Sequence, residues 1–460
     1  MDFKIRIMKR NNFKGLNVLC LLALLGSLVA CTDYLDVKPD KALVVPNTAR
    51  DLQGLLDYTS RMNSSYPGIQ EAATDNVFLQ PATWQNLADI TAKNIYVWND
   101  DVFNNNELNE WSLPYVTVFY ANTVLDQLAK IAAPEQEKRR MRAEALFYRS
   151  FAFYQLAQLF AAPYEETTAS QTLGIPLRTT ADISANFSRA SLRETYDRIL
   201  VDLKTASAAL PVQTTFKTTP SKPATLGLLA RVYLAMERYQ EAELYADSCL
   251  NYQSTLLDFK QTNLNATYPF ARYNPEVIFH STTFGRTVLS VTFSRVSPEL
   301  YAQYQNGDLR RTGFFMNRAG LFSFKGSYDG TASLFNGIAV NEMLLISAES
   351  AVRRGDTVKA LERLHQLLRN RFTVAAYQKL ESNQVQQVLD WVLQERRKEL
   401  LFRGLRWTDL RRLNKDPRYA KDIIRDINGE QYVLKANSNQ YVLPIPIAVV
   451  NGGIIVQNPR

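Results

Sequence analysis

Three cysteines and two histidines in 460 residues leave little room for several kinds of chemistry. Cys20 lies inside an N-terminal apolar run and Cys31 closes it, so the rest of the chain holds Cys249 alone and can form no intrachain disulfide. An exported chain of this kind rests on its core for stability. Cys249 falls in an apolar helical pattern, the setting of a buried, inert thiol. His280 and His365 lie on different elements. No serine elbow, Cys–His pairing, phosphate loop or zinc-ligand spacing occurs. Charge is also nearly balanced: beyond residue 30 the chain carries 48 Lys and Arg against 44 Asp and Glu. No basic run interleaved with aromatics is present, so nothing points to nucleic acid. One long apolar run exists and no second, so the chain beyond it is expected to be soluble.

That run is preceded by Lys4, Arg6, Lys9, Arg10 and Lys14, extends from Leu16 to Val29 and ends at Leu28-Val29-Ala30-Cys31. Basic flank, short apolar core and small residue before a cut site are the parts of a secretory signal. The core is shorter than the roughly 20 residues that a spanning helix needs. A cysteine directly after the small residue resembles a bacterial lipoprotein signal. That resemblance implies a signal peptide over 1–30, lipid on Cys31, and a tether over 31–47 that holds Pro39 and Pro46.

Beyond the tether, helical periodicity sets in. Leu52, Leu55 and Leu56 recur at i, i+3 and i+4. A helical pair is predicted over about 107–131 and 135–160, another over 191–210 and 224–236, and a shorter helix over 239–251. Ala230 and Ala242 stand twelve apart, as do Ala348 and Ala360. Small residues at that spacing occur in tetratricopeptide hairpins, where two helices approach closely. Among other helical pairs, the two matches predict a helical-repeat scaffold. Two stretches interrupt it. Residues 63–106 read as irregular, and Phe259 to Phe335 holds 15 aromatics in 77 residues, against 11% for the chain. A stretch so long within a repeat array is a functional insertion, or a subdomain whose aromatics are its own core.

Motifs spread along the chain carry a family resemblance. They are Cys31-Thr-Asp-Tyr-Leu-Asp-Val-Lys-Pro39, Phe153-Tyr-Gln-Leu-Ala-Gln-Leu-Phe160 with Gly174-Ile-Pro-Leu177, and Ser221-Lys-Pro-Ala224 with Leu229-Ala-Arg-Val-Tyr-Leu234 and Tyr239-Gln-Glu-Ala242. Glu395-Arg-Arg-Lys-Glu-Leu400, Gly404-Leu-Arg-Trp-Thr-Asp-Leu-Arg411, Tyr441-Val-Leu-Pro-Ile-Pro446 and Gln457-Asn-Pro459 complete the set, and Pro298 to Arg310 also fits. In this order they resemble the SusD/RagB family of outer-membrane nutrient-uptake lipoproteins. Ala161-Ala162 depart from it, standing where members often have an aromatic residue and glycine. The resemblance implies an all-α-dominated fold of about four tetratricopeptide-like hairpins in one domain, 48–460, with a loop-rich ligand face at about 63–106 and 256–338. It also implies a surface-exposed protein, lipid-anchored in the outer membrane. The implied ligand is an oligosaccharide or, in some members, a peptide, and the partner a SusC-like TonB-dependent β-barrel transporter. A helical-repeat scaffold binding other proteins is the alternative from another class.

The charged C-terminal motif invites an enzymatic reading, a glycan hydrolase. Glu395 and Glu399 lie four apart, as do Glu399 and Arg403, on one helical face. Glycoside hydrolysis needs an acid of raised pKa, whereas Arg396, Arg403, Arg406 and Arg411 around these acids would lower it. A structural ion-pair network is expected, and no catalytic residue. No cofactor is expected either. Asn99-Asp100-Asp101 and Asn104 to Glu107 offer oxygens to a cation such as calcium but lack the calcium-loop spacing. A sugar face needs aromatic platforms beside amides and charges. Tyr66, Asp75, Asn76, Trp84, Trp98 and Asn99 in the irregular stretch, with Tyr301, Phe314 and Arg318 in the insertion, are the candidates. Trp84 and Trp98 lead because both lie outside the helical stripes.

Overall fold

The computed structural model describes residues 46–103 and 109–460. Cys31, most of the tether and the Asn104–Glu107 stretch lie outside the described residues. The helix Ala49–Leu56 (α1) opens the described chain. Thr48 caps it, its hydroxyl taking the Asp51 N–H at 3.1 Å. Then follow α2 (Asn109–Gln127), α3 (Glu135–Phe160), α4 (Leu192–Ala209), α5 (Lys222–Ala235) and α6 (Tyr239–Tyr252). After a long excursion come α7 (Val340–Arg353), α8 (Thr357–Leu368), α9 (Val385–Glu399) and α10 (Arg406–Leu413).

Consecutive helices from α2 to α8 pack one on the next, so α6 meets α7 directly although 87 residues separate them in sequence. The repeat stack is continuous in space and the insertion is looped out of it. Every residue of α3 from Ala143 to Phe160 is buried, and that part of the helix is mostly apolar on all sides, with Glu144, Arg149, Ser150, Gln155 and Gln158 as its buried polar residues. At the α5–α6 and α7–α8 hairpins Ala230, Ala242, Ala348 and Ala360 are fully buried, as close approach requires. The mainly helical tetratricopeptide-like fold read from the sequence is the fold observed.

Among the described residues ten short strands pair in twos. At the root of the insertion β4 (Val277–Phe279) pairs antiparallel with β8 (Ile338–Ala339). Further out, β1 (Val77–Phe78) pairs with β5 (Arg295–Val296), and β6 (Phe315–Arg318) with β7 (Leu321–Phe324). The 63–103 stretch and the insertion are therefore one layer, stitched further by Phe284 N–H to Tyr66 O at 2.6 Å and Thr282 N–H to Asn63 O at 2.8 Å. The 63–103 stretch is also less irregular than its sequence suggests. It contains a 3-10 turn at Ile69–Ala73 and short helices at Pro81–Gln85 and Ile90–Tyr96. Elements of five to seven residues are too short to show an apolar period. The remaining pairs are β2 (Leu173–Pro176) with β3 (Arg189–Ser191), and β9 (Ile423–Ile427) with β10 (Glu430–Leu434). The last two join through Asn428-Gly429, both at positive φ, the two-residue turn that suits the twist of a hairpin.

The charged motif docks α9 and α10. Arg310, fully buried, meets Asp308 at 2.8 Å, Glu395 at 2.7 Å and Glu399 at 3.1 Å, and Arg371 joins Glu399 to Glu276. Arg396 and Arg412 hold Asp409, and Arg412 also reaches Glu349. Arg403 departs from its helical spacing: α9 ends at Glu399, and the Arg403 guanidinium donates instead to Asn341 Oδ1 at 3.0 Å.

Candidate functional site

Four of the nine candidate residues are core. Tyr66 is fully buried, its hydroxyl donating to Met62 O at 2.6 Å and its ring edge-on to Phe151. Trp98 donates its indole N–H to Ala73 O at 2.9 Å, and Arg425 covers its ring, 4.5 Å from the centroid. Asn76 is buried with its Oδ1 taken by Arg397. Phe314 packs among Phe259, Phe270 and Phe324, the insertion's own aromatic core. Lying outside a helical stripe did not make these side chains accessible, because a loop layer must also bury apolar surface.

Of the other five, four are accessible to different degrees, while the Asp75 side chain is only 8% exposed. Asn99 is exposed, its side chain accepting from Asp101 N–H at 2.9 Å and its carbonyl from Arg460. Arg318 is exposed at the tip of the β6–β7 hairpin. Tyr301 is half-buried, with one face occupied by Phe322 at 3.6 Å between centroids and Arg311 lying over the ring. Asp75 lines a groove between the 74–78 segment, the Ser297–Glu299 turn and the β9–β10 hairpin, and Trp84 meets the same hairpin at Tyr432, outside that lining.

This groove holds about 320 Å³ and mixes Phe78, Tyr96 and Ile424 with Asp75, Glu299 and Lys421. Asp75 receives Arg406 through both oxygens at 2.8 and 2.9 Å, Lys421 at 2.6 Å and Arg397 at 3.0 Å. Burial alone would raise its carboxyl, but these cations hold it well below the usual range. Glu71 behind it is fully buried, and burial raises it to about 7 against the Gly404 N–H that donates to it at 3.0 Å. Trp84 lies outside the groove's lining. It is half-buried, its N–H donates to Lys93 O at 3.0 Å, the Lys93 ammonium lies 4.9 Å from its ring centroid, and Tyr432 lies 6.0 Å away. Tyr432 is the cross-strand neighbour of Arg425, which lines the groove. Tyr432 and Lys421 were missed in the sequence, although Asn428-Gly429 between two alternating runs marks their hairpin.

The arrangement suits binding. Burial would raise the Glu399 carboxyl, yet Arg371 and Arg310 keep it below the usual range, the reverse of what a general acid needs. Among the described residues no group of three His, Cys, Asp or Glu side chains could hold a metal ion. No described helix is long and apolar enough to cross a membrane.

Comparison with known proteins agrees with this architecture. A family model described as "Starch-binding associating with outer membrane" matches residues 33–234, and one described as "SusD family" matches 293–460. The chain belongs to the SusD/RagB family. It is 22% identical to a SusD-like protein of Formosa agariphila, over 91% of this chain and 94% of that one. Among solved structures, a SusD superfamily protein from Bacteroides thetaiotaomicron superposes with a TM-score of 0.71 at 22% identity, covering 90% of this chain and all of that one. A laminarin-binding SusD-like protein superposes with a TM-score of 0.63 at 19% identity, covering 89% and 97%. The family is one of carbohydrate-binding proteins, associated by its description with the outer membrane, and no enzymatic family is indicated.

Proposed function

We propose that this protein, lipid-anchored through Cys31, captures an oligosaccharide at the outer-membrane surface and delivers it to a TonB-dependent β-barrel transporter. The observation that carries the ligand class is the half-buried Trp84, with Lys93 over its ring and Tyr432 beside it, on the β9–β10 hairpin whose first strand lines a groove of mixed polar and apolar character. An aromatic face takes the C–H side of a sugar ring while carboxylate and ammonium groups take its hydroxyls. The laminarin-binding neighbour makes β-glucans the first ligands to try. Calorimetry against a panel of neutral glycans that includes laminarin tests the ligand, and binding of peptides but no glycan would move the assignment to peptide capture. Purification of the lipidated protein in mild detergent tests the partner. A large β-barrel transporter in near-equal amount is expected, whereas assembly proteins without a transporter would favour a scaffold role.

A further inference from the structure

A second cavity, of about 510 Å³, lies between α2, the loop that follows β2 and the segment 449–455. Trp111, Tyr115, Phe119 and Phe187 give it aromatic walls, and Ile454 adds an aliphatic one. Phe119 and Ile454 are 37% and 43% exposed, so the lining is accessible to a ligand. The loop wall is held firmly on α2. Asn122 donates to Arg178 O at 2.8 Å and Thr180 O at 3.2 Å, Thr180 Oγ1 and Ala181 N–H donate to Asp126 at 2.9 and 2.8 Å, and the Tyr115 hydroxyl donates to Pro176 O at 2.9 Å.

The Arg178 guanidinium lies over the Phe187 ring, 5.5 Å from its centroid, and pairs with no carboxylate among the described residues. Among the described residues the one acid lining the pocket is Asp182, which is exposed, accepts from Ser184 N–H at 2.9 Å and Ser184 Oγ at 2.6 Å, and is held below the usual carboxylate range chiefly by those bonds and to a lesser degree by the Arg178 charge. Arg149, which reaches Asn122 from the interior, is neutralised by Asp202 at 2.8 Å. The chain's buried arginines carry acids or carbonyls; this half-buried one is offered to the cavity.

We propose that this cavity is a second ligand site and that it takes a carboxylate-bearing sugar, a uronic acid residue of an acidic oligosaccharide. The aromatic walls would receive the ring's C–H faces, and the planar guanidinium would pair with the carboxylate. Ser112 and Asn186, also in the lining, face the hydroxyls. The site shares no residue with the Asp75 groove and stands whether or not that groove binds glycan.

The test uses the full chain with oligogalacturonate and oligomannuronate as probes, each beside its methyl ester, in which the charge is gone and the ring kept. The acid forms are expected to bind with affinity falling as salt rises, and the esters about tenfold or more weaker, the scale of a lost charge-assisted hydrogen bond. Arg178→Gln should weaken the acid forms by a similar factor, and bound acid should slow amide exchange in 176–187 and 447–456. No binding of either acid, equal binding of acid and ester, or protection confined to 74–98 and 421–434 would overturn the proposal. The ester comparison needs no variant, so it decides the matter however Arg178→Gln folds.

Discussion

The Arg425 guanidinium lies 3.5 Å from the Tyr96 ring centroid and 4.5 Å from that of Trp98. Its N–H groups donate to Ala72 O at 3.0 Å, Thr74 O at 2.8 Å and Tyr96 O. Burial lowers its pKa to about 10, still well above neutral pH. The surface on which a sugar would stack at Trp98 is thus taken by the chain's own β9–β10 hairpin, which this contact latches to the 72–98 segment.

Trp98→Ala is therefore expected to act on stability. Removing a buried tryptophan costs about 3–5 kcal/mol, and loss of the wall against Arg425 belongs to that cost. Urea unfolding of the variant measures it. A fully stable variant that no longer binds glycan would return Trp98 to the ligand site.

Trp84→Ala should behave in the opposite way. The side chain is half-buried on a five-residue helix, so the fold should lose little, while glycan affinity falls by roughly tenfold or more if Trp84 is the platform. Calorimetry and thermal unfolding on one preparation separate the two effects, and undiminished affinity would remove Trp84 from the site.

Arg310→Met removes the cation shared by Asp308, Glu395 and Glu399, three acids in a buried setting. Breaking such a network by deleting one partner costs about 3–5 kcal/mol. Denaturant titration should show that loss, together with faster amide exchange in 308–314, where the insertion meets α9. A change under about 1 kcal/mol would show the network to be dispensable.

Glu71 sets a pH dependence of defined sign. Its folded-state pKa is raised by burial to about 7 from 4.5, so over that window the folded chain keeps a proton that the unfolded chain releases. The stability this group contributes is complete below about 4.5 and lost as pH rises through 7, at about 1.4 kcal/mol per pH unit within the window. Glu71→Gln, which keeps an acceptor for the Gly404 N–H, should flatten the decline. Unfolding free energies of the two proteins at several pH values between about 5 and 7 compare the slopes, and parallel curves would refute the assignment. Glu349 works the other way: Arg412 and Arg353 outweigh its burial and lower it to about 2, so its contribution is lost in acid.

The helices were legible because their information is local. The Glu135–Phe160 helix coincides with its apolar pattern, Ser191 and Glu194 form a capping box that starts α4, and the twelve-residue spacing of Ala230 and Ala242 reports a hairpin contact within one repeat. The charged motif was legible in kind, since acids set among arginines cannot serve as general acids. Its pairing was not, because Arg310, Arg371 and Glu276 come from distant parts of the chain. Arg403 escapes its four-residue spacing for a related reason, the helix ending at Glu399 before that spacing could apply.

What the sequence determined by itself was the repeat scaffold, the family and the two interrupting stretches, all carried by short-range spacing or ordered motifs. Tertiary structure alone decided that those stretches form one layer through β1 and β5, and which aromatics that layer consumes as core. Trp84 and Trp98 look alike in sequence. Only the arrival of the β9–β10 hairpin, more than 300 residues later, covers Trp98 with a guanidinium and leaves Trp84 half-buried beside Tyr432, because burial is a property of what packs against a side chain and not of the side chain itself.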